Sequence, residues 1–168
     1  NQVMYAQMQA LGQLKVDAAQ HKAAGDFQAT LDAADVEQVS RPLASVLRGK
    51  VPAIFEGIAP YDPAVEETLF GSTDVADVSW ITPTVQAWVA CYAFGTPLHS
   101  WQMVSQGQSG LAHAGMVRAD QVLAATAIAL LEQPERIAQA KAELLERRGG
   151  RPYACPIPAE VPLPFMRG

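Results

Sequence analysis

The sequence predicts an α/β fold, in which at least one buried strand is flanked by helices. The first observation is the segment TVQAWVACYAF, Thr84–Phe94, which is apolar and rich in β-branched and aromatic residues. Strands that are buried on both faces of a sheet have this composition. The second is the run from Ser109 to Glu132, whose apolar residues recur at helical spacing. The third is the length of 168 residues with 49% hydrophobic and 17% charged residues, which fits one globular domain.

The N-terminal part is predicted to be helical and then irregular. The apolar residues of NQVMYAQMQALGQL, residues 1–14, share one helical face, and a weaker helix covers residues 17–34. Four prolines interrupt residues 40–70, within which Ala53 to Ile58 is predicted to form a short strand. Because two strands make a poor sheet, we expect the chain to be part of a larger domain.

A further helix is predicted to begin in GSTDVADVSW, residues 71–80. Ser72 or Thr73 would cap this helix. Asp74 would then lie in the first turn, where a carboxylate meets the positive end of the helix dipole.

The last helix is predicted to begin at Pro134 and to end at Gly149 and Gly150. The tail that follows, residues 151–168, contains five prolines and should be extended. The predicted organisation is therefore helices and strands over residues 1–150, and a proline-rich tail over residues 151–168.

Charge and cysteine usage limit the possible partners. The net charge is -5 and the basic residues are scattered, so neither a nucleic-acid nor a membrane partner is expected. The longest apolar run, Val122 to Leu131, is too short to cross a bilayer. Cys91 lies in the apolar segment and Cys155 in the tail, which favours free thiols in a reducing, cytoplasmic setting.

His99 is the strongest candidate for a functional residue. It lies in a loop, GTPLHSW, just after the predicted strand Thr84–Phe94, and sites in open α/β sheets gather at such strand ends. A neutral imidazole there can bind zinc or a similar metal. The alternative is a histidine that only donates a hydrogen bond to a backbone carbonyl. No second ligand stands nearby at a metal-binding spacing, so no local motif completes a metal site.

Two aspartates and two further histidines are weaker candidates. Asp74 and Asp77, three residues apart, could orient a ligand or hold a catalytic water, although capping and compensation of the helix dipole are the favoured explanation from the residues alone. His113, in the first turn of the long helix, is expected to be packed or solvated, and His21 is expected on the surface.

Three stretches carry a family resemblance: GSTDVADVSW, GTPLHSWQMVSQGQSGLAHAGM and RPYACPIP. Together they resemble the C-terminal part of amidohydrolases of the p-aminobenzoyl-glutamate hydrolase type. These enzymes belong to the co-catalytic zinc aminoacylases and carboxypeptidase-like metallopeptidases. The resemblance implies that the chain is the second half of a zinc-peptidase-like catalytic domain, with its sheet flanked by helices and its lid domain absent.

The same resemblance implies roles for individual residues. His99 matches the last metal ligand of the family, and Asp74 matches an aspartate near the site. The family has glutamate where this sequence has Thr73, so a role that depends on that carboxylate is not carried over. Asp77 is retained as a second residue that supports the site, and no catalytic residue is assigned in this chain.

The resemblance also implies what the chain lacks. The other ligands for two zinc or manganese ions lie in the family's N-terminal half, as does its general base, so the chain alone is expected to be inactive. The intact protein is expected to hydrolyse the amide bond of a small N-acyl amino acid such as p-aminobenzoyl-glutamate, as a homo- or hetero-oligomer. Two alternatives remain open: a non-catalytic module that associates with another chain, and a hydrolase for a different N-acyl amino acid or dipeptide.

Overall fold

A computed structural model of the chain describes residues 1–64 and 73–161. Within these ranges the regular structure is helical. The α-helices are α1 (Gln2–Leu11), α2 (Ala18–Gln28), α3 (Ala33–Ser40), α4 (Ala44–Leu47), α5 (Val75–Ile81), α6 (Trp101–Gln106), α7 (Gly110–Glu132) and α8 (Pro134–Arg147). A 3₁₀ turn, Arg41–Leu43, connects α3 to α4. The described residues divide into two compact units, 1–64 with 86–129, and 73–85 with 130–161.

The first unit is built around a small apolar core. Five buried residues form it: Leu14, Ala24, Ile54, Ala93 and Leu111. They come from α2, from α7 and from three connecting segments. The core therefore depends on contacts between parts of the chain that are distant in sequence.

Arg118 on α7 fixes the end of α1. Its guanidinium donates hydrogen bonds to the carbonyl oxygens of Leu11 and Gly12 at 2.9 Å each, and to that of Gln13 at 3.2 Å. The last carbonyl groups of a helix lack partners within the helix and carry its negative dipole end. Arg118, a charged residue within an otherwise largely apolar helix, thus joins α7 to the end of α1.

The predicted sheet is absent from residues 1–64 and 73–161, so the α/β assignment, with its sheet flanked by helices, is wrong for this structure. The segment Thr84–Phe94, called the apolar segment below, has no regular secondary structure and does not form a ladder. It meets the other predicted strand, Ala53–Ile58, through one backbone hydrogen bond, from the Phe94 amide to the Ala53 carbonyl at 2.8 Å.

The physical reason lies in the neighbouring groups. Gln28 on α2 places its side-chain amide between the two segments and donates to the carbonyl oxygens of Pro52 and Phe94 at 2.8 and 3.0 Å. Pro52 itself has no N–H to offer to a ladder. A side chain therefore makes the contacts that a second strand pair would have made.

The helical predictions are mostly confirmed. The predicted helix from Ser109 to Glu132 corresponds to α7, and the helix that begins at Pro134 corresponds to α8. Gly149 and Gly150 follow α8 with positive φ angles, as a helix stop requires. The weak helix predicted over residues 17–34 is confirmed as α2 up to Gln28, but its last part is wrong, because the chain turns there and α3 starts afresh at Ala33.

Helix α7 carries apolar residues both on its buried face and outside it. The buried face includes Leu111, Gly115 and Val122. Outside this face the helix exposes further large apolar side chains, among them Met116, Val117, Leu123 and Ile128. By length and composition alone this helix is long and apolar enough to cross a membrane. A core helix of a soluble protein has the same length and composition, so this property does not distinguish the two.

The second unit holds α5, α8 and the described part of the tail, to Val161. Neither helix buries a residue fully. On α8, Arg147 pairs with Glu143 at 2.8 Å, the i,i+4 spacing that stabilises a helix surface. In the tail, Tyr153 donates a hydrogen bond to Asp77 at 2.9 Å and so ties this segment to α5.

Candidate functional site

His99 lies in a turn between the apolar segment Thr84–Phe94 and α6, in the first unit. Its backbone is left-handed, with a φ of 59°. Few residues other than glycine adopt this conformation, although histidine does so more often than most. The side chain is exposed, and no hydrogen bond holds the imidazole in the described part of the chain. The ring is thus presented to solvent from a backbone conformation that costs free energy to maintain.

Ser100 fixes the C-terminal side of this turn. Its hydroxyl accepts a hydrogen bond from the Met103 amide at 3.1 Å and so caps α6. The same hydroxyl donates to the carbonyl oxygen of Pro97 at 2.7 Å. These two contacts close the turn Pro97–Ser100 around His99.

Gln106 fixes the N-terminal side of the turn. Its side chain is 2% exposed. Its Oε1 accepts from the backbone amide of Ala93 at 2.7 Å, and its Nε2 donates to the Thr96 hydroxyl at 3.1 Å and to the Gln102 carbonyl at 3.0 Å. One buried amide therefore satisfies backbone and side-chain groups on both sides of the His99 loop.

Gly95 also fixes the path of the backbone into the His99 loop. Its φ is 91°, and a β-carbon on it would lie 2.7 Å from a methyl carbon of Val36 on α3. A larger residue would meet both a backbone strain and a collision at this position. The path of the chain into the His99 loop is thus fixed by a glycine and by the buried Gln106.

The two predicted supporting aspartates lie in the second unit, at the start of α5. Asp74 precedes the first helical residue, and no side-chain capping bond comes from it. Asp74 is itself the N-cap, so the predicted cap at Thr73 is wrong; the Thr73 hydroxyl only accepts a local hydrogen bond from the Val75 amide at 3.3 Å. The other cap candidate, Ser72, lies outside the described residues.

Asp77 accepts the hydrogen bond of the Tyr153 hydroxyl at 2.9 Å. This hydrogen bond to the carboxylate, with smaller effects of desolvation and charge, raises the pKa of Tyr153 to about 12. The contact gives Asp77 a partner that the sequence reasoning missed. The only sequence signal for it was the position of Tyr153 in RPYACPIP, one of the stretches that carry the resemblance.

The remaining histidines do not join His99. His21 is on the surface, as predicted, and its Nε2 lies 3.3 Å from a carboxylate oxygen of Glu56. The contact with Glu56 was not predicted. His113 is exposed on the first turn of α7. Among residues 1–64 and 73–161, no group of three or more histidine, cysteine or acidic side chains is arranged to hold a metal ion.

Gln106 was missed by the sequence reasoning altogether. It stands in SQGQSG, a polar stretch that reads as a loop, and its burial follows from the packing of α6 against the Ala93–Thr96 turn. No pattern in the sequence distinguishes this glutamine from its exposed neighbour Gln108.

Comparison with known proteins gives one clear relative. Over 115 residues, which make up 68% of this chain, the sequence is 41% identical to one of the subunits of p-aminobenzoyl-glutamate hydrolase from Escherichia coli (strain K12). The matched region is 24% of that protein, so the chain spans about a quarter of the relative's length. No family model matches the chain, and no solved structure matches it. The match confirms the family resemblance read from the sequence: this chain is a relative of the p-aminobenzoyl-glutamate hydrolases.

Proposed function

We propose that this chain forms the C-terminal part of a metal-dependent amidohydrolase. The substrate would be a small N-acyl amino acid such as p-aminobenzoyl-glutamate, cleaved at its amide bond. The observation that carries the proposal is the 41% identity over 115 residues to a protein named as a hydrolase of that compound. The name of the relative also describes it as a subunit. This supports the proposal that the present chain acts within an oligomer.

His99 is the residue that would bind the metal. A neutral imidazole offers one lone pair to a divalent cation, and this one is exposed and lacks a competing hydrogen bond in the described chain. Two zinc or manganese ions need more ligands than one imidazole, so the rest of the protein must provide them. A metal bound there would supply a water whose pKa is lowered enough to attack an amide carbonyl at neutral pH.

Asp74 and Asp77 would act in support. Asp74 is exposed at the start of α5, and its carboxylate makes no capping bond there. Asp77 accepts from Tyr153 and so holds the tail segment against α5. The two aspartates would therefore have different roles. Asp74 is available to a ligand, and Asp77 maintains the local structure.

Purification of the protein assembly through a tag on this chain provides the test. The assembly should contain a divalent metal and should release glutamate from p-aminobenzoyl-glutamate. The 168-residue chain alone, with zinc or manganese added, should show neither tight metal binding nor hydrolysis. A metal-free assembly that does not cleave the compound would refute the proposal, whereas activity of the isolated chain would refute the part that assigns missing ligands to the rest of the protein.

A second candidate is a non-catalytic module that associates with another chain. The observation in its favour is the exposed apolar surface of the first unit, where Trp88 is 75% exposed and α7 exposes large apolar side chains such as Leu123. The two candidates differ in the role of His99. An assembly that binds no metal, yet falls apart when this apolar surface is changed, would favour the second candidate.

The substrate and the compartment are part of the proposal. The assembly can also be tested on other N-acyl amino acids and dipeptides. A higher kcat/KM for one of these than for p-aminobenzoyl-glutamate would change the proposed substrate but not the proposed reaction. A cytoplasmic location is proposed because Cys91 and Cys155 are both free thiols in the structure. Cell fractionation tests it directly.

A further inference from the structure

We propose that Gln106 is a positioning residue for His99, and this inference rests on the proposed metal-binding role of His99. Gln106 does not contact the imidazole. It acts on the backbone that carries His99, by joining the segment before the loop to the helix after it.

The contacts of Gln106 span the loop. Its acceptor oxygen holds Ala93, 13 residues earlier in the sequence, and its nitrogen holds Thr96, ten residues earlier. The Thr96 hydroxyl also donates to the carbonyl of Ala93 at 2.7 Å, which closes a ring of three polar contacts. By contrast, the hydrogen bonds of Ser100 reach only three residues in either direction. In the described chain, Gln106 thus makes the hydrogen bonds that link the two ends of the loop across α6.

Burial makes these contacts strong and hard to replace. At 2% exposure the side-chain amide of Gln106 is out of reach of solvent, and the amide proton of Ala93 depends on it. A buried amide that loses its partner keeps the full cost of its desolvation, and water cannot readily enter to replace the bond. Removal of the Gln106 side-chain amide should therefore release the Ala93–Thr96 turn.

The position of His99 would follow that turn. Its left-handed backbone is maintained only while the residues around it are held, because such a conformation relaxes when it is not enforced. A metal ligand must be held within a fraction of an ångström of its productive position. Residues that hold ligands in place typically change metal affinity by tenfold or more when they are replaced.

Two substitutions test the proposal at different levels. Gln106→Met keeps the length and the packing of the side chain and removes every hydrogen bond. Gln106→Glu keeps an acceptor for the Ala93 amide and should retain part of the effect. Gln108→Met is the matched control, since Gln108 is exposed on the same connection and bonds to nothing in the described chain.

The first measurement is independent of activity. In the 168-residue chain, the Ala93 amide should exchange with deuterium much faster in Gln106→Met than in the wild type, whereas Gln108→Met should leave it protected. Equal protection of the Ala93 amide in wild type and Gln106→Met would overturn the proposal.

The second measurement uses the whole assembly purified through this chain. Gln106→Met should weaken zinc binding by roughly tenfold, and excess zinc should restore the hydrolysis rate. His99→Ala should lose zinc binding in a way that excess zinc does not restore. If His99→Ala loses zinc and Gln106→Met binds it as the wild type does, the inference about Gln106 fails and the proposed function stands. If His99→Ala binds zinc normally, the proposed role of His99 fails, and that of Gln106 fails with it.

Discussion

Gly115 on α7 lies directly against the backbone carbonyl of Ala90 in the apolar segment Thr84–Phe94. A β-carbon on Gly115 would lie 2.6 Å from the sulfur of Cys91 and closer still to the Ala90 oxygen. Real β-carbons do not approach other atoms so closely, so only glycine allows α7 and the apolar segment to pack at this distance. The buried side of the long helix is thus matched to one short stretch of chain.

We therefore predict that Gly115→Ala lowers the free energy of unfolding by about 1–3 kcal/mol, because the backbone must shift to admit the methyl group. Urea denaturation followed by circular dichroism measures the change. The matched control is Gly25→Ala in the interior of α2, where a β-carbon meets nothing within 4 Å. That substitution should stabilise the chain by about 0.5–1 kcal/mol, since alanine loses less backbone entropy in a helix. A neutral Gly115→Ala would show that the helix does not sit at this distance.

For His99 we predict that two substitutions separate structure from chemistry. His99→Gly fits the left-handed backbone, whereas His99→Ala does not, so the glycine variant should be more stable by about 1 kcal/mol. Both should lose zinc binding and most hydrolysis in the assembly, since both lack the imidazole. His113→Ala, which removes an exposed histidine from α7, should change neither property. Full zinc content in either His99 variant would remove this residue from the metal site.

The hydrogen bond between Tyr153 and Asp77 predicts a pH dependence. The pKa of Tyr153 is raised from 10.0 to about 12, first by this bond. The stabilisation by a group with a raised pKa is complete below its ordinary pKa and is lost as the pH rises through the raised one. The link between the tail and α5 should therefore persist to pH 10 and disappear as the pH approaches about 12.

Ultraviolet titration of the four tyrosines measures this directly. One phenol should ionise later than the others in the wild type, and Tyr153→Phe should remove it. Asp77→Asn should return that phenol to the ordinary range. Unchanged late ionisation in Asp77→Asn would show that another group holds Tyr153.

The exposed apolar side chains of α7 predict association of the isolated chain. They include Met116, Leu123 and Ile128, and Trp88 adds a further exposed apolar surface in the same unit. We expect either self-association in sedimentation velocity or marginal stability, and Leu123→Glu should reduce the association. Gln121→Glu adds the same charge to the same helix at a polar position and should have little effect.

Hydrogen exchange and vesicle binding complete this test. Amides 86–92 make no hydrogen bond within the described chain and should exchange rapidly, whereas the Phe94 amide, bonded to Ala53, should be protected. A compact monomer with strong protection along the whole segment would contradict the prediction. Co-flotation with neutral lipid vesicles would show that a membrane covers α7 instead of protein.

The sequence by itself determined the two long helices α7 and α8 and their ends, because those signals are local. The apolar period of α7, Pro134 at the start of α8 and the two glycines after it act within a few residues of chain. The sequence also determined the family relationship. The stretches that carry it, such as GTPLHSWQMVSQGQSGLAHAGM, can be recognised without any knowledge of the contacts that the chain makes. His99 was found as a candidate in the same way, and its metal-binding role stays a prediction.

Only the tertiary structure decided whether the apolar segment Thr84–Phe94 became a strand. Its composition suits a sheet, but a strand needs a partner along its length. Ala53 offers one hydrogen bond while Gln28 and α7 occupy the other contacts. The burial of Gln106 and the pairing of Tyr153 with Asp77 were decided in the same way. Each joins residues at least ten apart in the sequence, and contacts at that distance leave no period or spacing in the chain from which they could be read.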